Sequence, residues 1–341
     1  MKRIFIIVSL VLVLCGCYDY RELNDMSIVT GIGIDYKDKE YIVNLEVTKS
    51  IKDGSSNEIE SVVYTGSNTI LADAFLEAKN MSDKYVYMEH VNVLLLSTEL
   101  SKNGIGNVID YIVRDTSINS NYYMVVVDDP KKVFDTKIEN DTMSNVVVNT
   151  INYYLDDTSF DDLDIVSSYM LNKRDDIAIP MISLDEDKVI FNKIAYFDSD
   201  KLVGNIDSKL YTLLRLNSNN VNFNKNGNTV SVYKSDVSYK VNKDIITIKV
   251  CGEGLVKEIS SKIDLENKDS YDYLSNIISK DMKYEIESFL EETLSKESDL
   301  LGLQDKYYKK YKHDMKDIKY QVDVDIKINK NGTIYGVLYD N

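Results

Sequence analysis

A single apolar run near the start decides where the rest of this chain can fold. Ile4 to Leu14 is hydrophobic throughout except for Ser9, and Lys2 and Arg3 precede it. Eleven helical residues span only about 16 Å, roughly half of a bilayer's hydrocarbon core, so the run reads as an export signal and not as a membrane span. The next candidates, Val91 to Leu96 and Tyr122 to Val127, are strand-length runs bounded by polar residues. The remainder of the 341 residues is therefore expected to fold outside the lipid, as two or three domains with cores of their own.

The run ends in Leu14-Cys15-Gly16-Cys17. A small residue directly before a cysteine at this place resembles the bacterial lipobox, in which the thiol receives a diacylglyceryl group and cleavage occurs before it. The resemblance makes residues 1–16 the signal peptide and Cys17 the lipidated first residue of the mature chain, with Cys15 a mild departure from the usual small residue. Two acyl chains at about 0.8 kcal/mol per buried methylene anchor stably where one does not. Loss of Lys2 and Arg3 takes the net charge from −16 to −18. Such acidity lacks the electrostatic footprint of a nucleic-acid binder and would repel anionic headgroups, leaving lipid as the means of attachment.

The pattern of the body predicts a mixed α/β and α+β, multi-domain ectodomain. Strands are expected over Ser27–Val47, with a turn near Asp35–Glu40, and at Val62–Tyr64. A helix over Ile70–Met81 follows, capped by Asn68, with Leu71, Ala74, Phe75 and Ala78 on one stripe. A strand over Tyr85–Ser97, a helix over Ile105–Arg114 and a strand over Tyr122–Val127 suggest some parallel pairing. Residues 131–173 read as largely helical. Pro180 marks Ile177–Ser183 as an edge strand or linker. Lys188–Phe197 and Leu202–Val203 form a small β unit, followed by a helix around Ser208–Leu216. In the last third, Asn226-Gly227 and Asn331-Gly332 are hairpin turns. Tyr271–Leu294 is a long helix with one buried face, and Tyr320–Ile328 alternates as a half-buried strand, giving an antiparallel sheet packed with long helices. The divisions are 17–183, 184–222 and 223–341.

Catalytic chemistry finds few residues to use. Gly31-Ile32-Gly33 and Gly104-Ile105-Gly106 lack the third glycine of a dinucleotide loop, having Tyr36 and Ile109 there, and read as turn or packing glycines. His90 and His313 stand alone, His90 as a hydrogen-bonded structural residue and His313 on a solvated basic face. Cys251 reads as a buried free thiol on a strand. The acidic cluster Asp156, Asp157, Asp161, Asp162 and Asp164 lacks the glycine and glutamate of a calcium loop. No catalytic or metal site and no cofactor is expected beyond the lipid on Cys17.

Several stretches in order resemble the Ger(x)C family, the C subunits of bacterial spore germinant receptors. They are Gly16-Cys17-Tyr18-Asp19-Tyr20-Arg21-Glu22-Leu23-Asn24 running into Ile28–Asp35, then Gly66–Ala74 leading to His90 and Tyr111–Ser117. Pro180 through Ile194–Phe197 to Lys201–Gly204 and Asp299-Leu300-Leu301-Gly302 complete the set. Tyr18 stands where the family usually has tryptophan, and Leu303-Gln304 replaces a usual Phe-Gly. The resemblance implies a non-enzymatic, lipid-anchored receptor subunit on the outer face of the spore inner membrane. Its implied partners are polytopic A and B subunits, and direct contact with a small-molecule germinant is left open. The competing reading is a solute-binding lipoprotein of an importer, a class that needs two similar α/β lobes around a cleft.

Overall fold

The structure, a computed structural model, describes residues 25–53, 56–119, 121–155, 176–216, 221–225, 228–243, 245–258 and 268–330. Cys17, the acidic cluster at 156–164 and both Asn-Gly turns lie outside the described residues.

A large mixed sheet forms first. β1 (Met26–Lys37), β2 (Glu40–Asp53) and β3 (Ser56–Asn68) make an antiparallel meander. β4 (Tyr85–Tyr87) and β5 (Val93–Ser97) both lie parallel to β1, in line with one another, so the single strand expected over Tyr85–Ser97 is broken at residues 88–92. β6 (Tyr123–Val127) and β7 (Ala178–Asp185) continue in parallel, and β8 (Lys188–Asp198) and β9 (Lys201–Asp207) close the sheet in antiparallel fashion. β8 and β9, within the segment expected as a separate middle unit, thus extend the first sheet through β7.

Pro180 corrects an expectation, because β7 is an interior strand and neither an edge strand nor a linker. The strand accommodates it by meeting β6 at one bridge only, Val126 opposite Met181, and by bulging against β8 just after Met181. A residue without an N–H is tolerated where the ladder is this thin.

Helices cover both faces. α1 (Leu71–Lys79), α2 (Thr98–Asn103) and α3 (Gly106–Arg114) bury Phe75, Leu100 and Ile109 against Ile34, Leu45 and Leu96. The stripe Leu71, Ala74, Phe75 and Ala78 is buried as expected, but the N-cap of α1 is Ile70, and Asn68 instead accepts the Ile70 N–H at 3.1 Å. α4 (Pro130–Asp135), opened by Asp129 and Pro130, and α5 (Met143–Leu155) cover the other face. β5 is buried on both sides, as a central parallel strand must be.

α6 (Ser208–Leu216) leads to the second sheet. β10 (Val221–Lys225), β11 (Asn228–Val241) and β12 (Ile246–Glu258) form the expected antiparallel set. α7 (Lys268–Ser295) then carries the chain across so that β13 (Tyr320–Lys330) joins parallel to β12. α7 buries Leu274, Ile278, Met282, Ile286, Phe289 and Leu290. Its Ser275 and Ser279 hydroxyls accept the Ile328 and Ile326 N–H groups at 2.9 Å each, which shields backbone on β13. The core under α4 and α5 runs without a break into the core of this second sheet. No helix among the described residues is long and apolar enough to cross a membrane.

Candidate functional site

The motif residues do not converge on one pocket; they build three joints. The first is at Thr30-Gly31-Ile32-Gly33. Val29 pairs with Val47 and Gly31 with Glu46, so Thr30 is an extra residue in β1. The bulge turns Val29, Ile32 and Ile34 toward the same core, where strict alternation would have parted them. The side left bare by the glycines receives α4 and α5. A Cβ on Gly31 would stand 2.2 Å from Ser144 Oγ and 2.7 Å from Phe134 Cζ, and one on Gly33 would stand 2.7 Å from Pro130 Cβ. Both are packing glycines.

Opposite Gly31 lies Glu46, which is fully buried. Its carboxylate accepts the Met143 N–H at 2.8 Å on one oxygen. On the other it accepts the Ser144 N–H at 3.0 Å, the Thr30 hydroxyl at 3.1 Å and the Ser144 hydroxyl. The negative charge thereby caps the N-terminus of α5, the favourable end for an anion. Nearby, the Asn92 amide donates to Asn145 Oδ1 at 2.6 Å and the Tyr123 hydroxyl to Asn152 Oδ1 at 2.6 Å, fixing the helix across the strands.

The second joint is Gly66. A Cβ there would meet the Ala74 carbonyl at 2.2 Å and the Ala78 nitrogen at 2.5 Å, so the backbone of α1 rests directly on β3. His90, expected as a hydrogen-bonded structural residue, is exposed in the break between β4 and β5, with its ring 5.5 Å from that of Tyr87. Arg114 is also exposed and pairs with Asp110 on its own helix at 2.9 Å. Asp115 accepts the Ser117 N–H and hydroxyl, at 3.0 and 2.6 Å.

The third joint connects the two sheets. Tyr196 on β8 is fully buried and pairs with Gly204 on β9. A Cβ on Gly204 would lie 2.5 Å from Tyr196 Cζ, so the tyrosine ring occupies the space the glycine leaves. The ring reaches α7, where its hydroxyl donates to Glu292 at 3.2 Å. Beyond α7, the Ser298 hydroxyl donates to the Phe197 carbonyl at 2.9 Å. The Asp299 N–H donates to Asp176 Oδ2 at 2.6 Å, while the Asp299 carboxylate accepts the Leu303 and Gln304 N–H groups at 2.9 and 2.7 Å. Asp299 thus holds the start of α8 (Leu303–Tyr311), and Gly302, with φ of 59°, makes the turn that permits it. Burial pushes the Asp176 carboxyl up to about 6, and the charges of Asp299 and Asp198 add to the rise.

Among the described residues, several clefts are open to solvent. One of about 420 Å³ lies between β8–β9 and α7, lined by Lys193, Asp207, Tyr284, Glu285 and Phe289 among others. Another of about 360 Å³ lies beside β4, with Lys79, Ser82 and Lys84 on its walls. Cys251 is a free, half-buried thiol on β12. His313 is exposed beside Tyr307 and Tyr311. No group of three or more His, Cys, Asp or Glu among the described residues could hold a metal ion. Glu46, Asp176 and Ser298, the polar residues that fasten these joints, were not singled out by the sequence reading. The two sheets differ in topology and do not form a pair of similar lobes.

Comparison with known proteins agrees with this arrangement. Residues 19–184 match the family described as "Spore germination protein N-terminal domain", and residues 192–332 match "Spore germination B3/ GerAC like, C-terminal". Spore germination protein KC of Bacillus subtilis (strain 168) is 22% identical over 88% of this chain and 85% of its own length. Spore germination protein A3 of the same organism is 28% identical over 42% of this chain and 40% of its own. The crystal structure of the GerBC protein shares the fold, with a TM-score of 0.53 and 16% identity over 91% of this chain and 99% of that one. With both halves matched in order, the chain belongs to the Ger(x)C family of spore germination proteins, the C subunits of germinant receptors.

Proposed function

We propose that this protein is the lipid-anchored C subunit of a nutrient germinant receptor, acting without enzymatic activity through contacts with polytopic A and B subunits on the outer face of the spore inner membrane. The observation that carries the reading is the match of both family domains, in order, over nearly the whole chain. Its motif residues support it further, since Gly31, Gly66, Gly204 and Asp299 serve packing and capping, the work of a scaffold. Cys17 carries the diacylglyceryl group, nine positions before β1 begins at Met26. The tether confines the ectodomain to the membrane plane and raises its effective concentration near its partners, so modest contacts suffice for assembly.

Intact-protein and peptide mass spectrometry of the chain isolated from its host membranes tests the anchor. The reading expects a mature N-terminus at Cys17 bearing two or more acyl chains, and release of the Cys17→Ala variant from the membrane fraction. An unmodified Cys17 in membrane-bound protein would refute it.

A further inference from the structure

We infer that the end of the first sheet at which the chain enters β1 is seated on the bilayer surface, with Met81, Tyr85 and Val113 in the headgroup region. The inference rests on the anchor at Cys17 and deepens it by assigning the face that meets lipid. Nine residue steps separate Cys17 from Met26. Even fully extended they reach only about 30 Å. β1 itself runs for twelve residues, about 40 Å, away from that point. Seating the Asp38–Lys39 turn on the bilayer instead would lift Met26 about 40 Å above it, farther than the tether reaches.

What stands at the entry end suits a lipid interface. β4 runs beside the first residues of β1, with Met26 opposite Tyr85, and the Ser27 and Ser82 hydroxyls are 2.8 Å apart. α1 and α3 end here as well, joined by Lys79 and Asp115 at 3.9 Å. Met81, Tyr85 and Val113 are about half exposed, at 57%, 48% and 53%. Lys84, next to Tyr85, is exposed, and the Tyr87 and His90 rings meet edge to face at 5.5 Å. Aliphatic and thioether carbon beside tyrosine and lysine is the composition that settles at headgroup depth, where the ring is buried and the ammonium stays wet. The net charge of the mature chain is −18, so the body is not drawn to anionic lipid; apolar contact seats this end after the anchor delivers it.

The chain contains no tryptophan, so each introduced one reports alone. Full-length lipidated protein carrying Tyr85→Trp is reconstituted in phosphatidylcholine vesicles, with and without bromine on the upper acyl carbons. Tyr36→Trp, at the far end of β1, is the reference, and Val113→Trp is a second reporter should Tyr85→Trp misfold. The inference expects at least a twofold loss of emission from Tyr85→Trp or Val113→Trp in brominated vesicles and none from Tyr36→Trp. Protein that floats with vesicles while both entry-end reporters go unquenched overturns the orientation and leaves the anchor standing. Equal quenching at Tyr36→Trp also overturns it, as does an emission shift that follows protein density and not bromine, which would mark a second copy as the occupant. Protein that neither floats nor carries lipid on Cys17 removes the anchor, and the inference falls with it.

Discussion

Replacing Glu46 by glutamine tests the joint between β2 and α5 with almost no change in shape. The two carboxylate oxygens divide the work: one accepts the Met143 N–H, and the other accepts the Ser144 N–H with the Thr30 and Ser144 hydroxyls. Glutamine has a single oxygen. Turned toward Ser144, it faces its own NH2 against the buried Met143 N–H; turned the other way, it faces the NH2 against the Ser144 N–H, while the Thr30 and Ser144 hydroxyls can rotate to accept from it. One unsatisfied buried donor costs about 2 kcal/mol, and loss of the charge at the helix N-terminus costs about 1 kcal/mol more. The sum of about 3 kcal/mol corresponds to about a hundredfold in an opening equilibrium. Hydrogen exchange of the α5 amides between Val147 and Ile151, read by mass spectrometry on the soluble ectodomain, should accelerate by that factor. Exchange in α1, on the opposite face, should change far less. Acceleration below threefold in α5, or an equal change in α1, would refute the capping role assigned to Glu46.

At the junction of the two sheets, Asp176 makes stability depend on pH in a direction opposite to most acids. Its folded value of about 6 exceeds the ordinary 3.8, so the folded state binds the proton more tightly, and this contribution grows as pH falls from about 6 to 4. Asp176→Asn keeps an oxygen for the Asp299 N–H, and urea denaturation should find the difference between it and wild type changing by about 2 kcal/mol between pH 7 and pH 4; a constant difference would count against the burial argument. Asp299→Ala strips the acceptor from the Leu303 and Gln304 N–H groups and should lower stability by about 1–2 kcal/mol, whereas Asp299→Asn should cost less. Gly204→Val drives a side chain into the Tyr196 ring and should cost about 1–3 kcal/mol in the same assay, with Gly204→Ala intermediate. Equal tolerance of alanine and valine there would show that the ring is not confined.

Much of the secondary structure was legible because its signals are local. The α1 stripe, the α6 limits at Ser208–Leu216 and the alternation of β13 follow from periodicity alone. The joints were harder, because each depends on partners far apart in the chain. On β2, Asn44 and Glu46 are buried, and α5 returns nearly a hundred residues later to bond the Glu46 carboxylate. The bulge at Thr30 leaves no mark except the glycine after it. Pro180 pointed to an edge, and only the single bridge between β6 and β7 explains its interior place. His90 borders an apolar run, yet it sits exposed where β4 gives way to β5. The family motifs were visible as spacing, while their physical work, helix against glycine and carboxylate against helix end, required the fold.

The central claim, that this chain is a tethered receptor subunit, is tested most directly by affinity purification of the tagged full-length protein from spore membranes of its own host, with Cys17→Ala alongside. The account expects two polytopic germinant-receptor subunits to co-purify with the wild-type chain and to be depleted in the Cys17→Ala sample. Recovery of a transporter permease and its ATPase, with no receptor subunit, would contradict it.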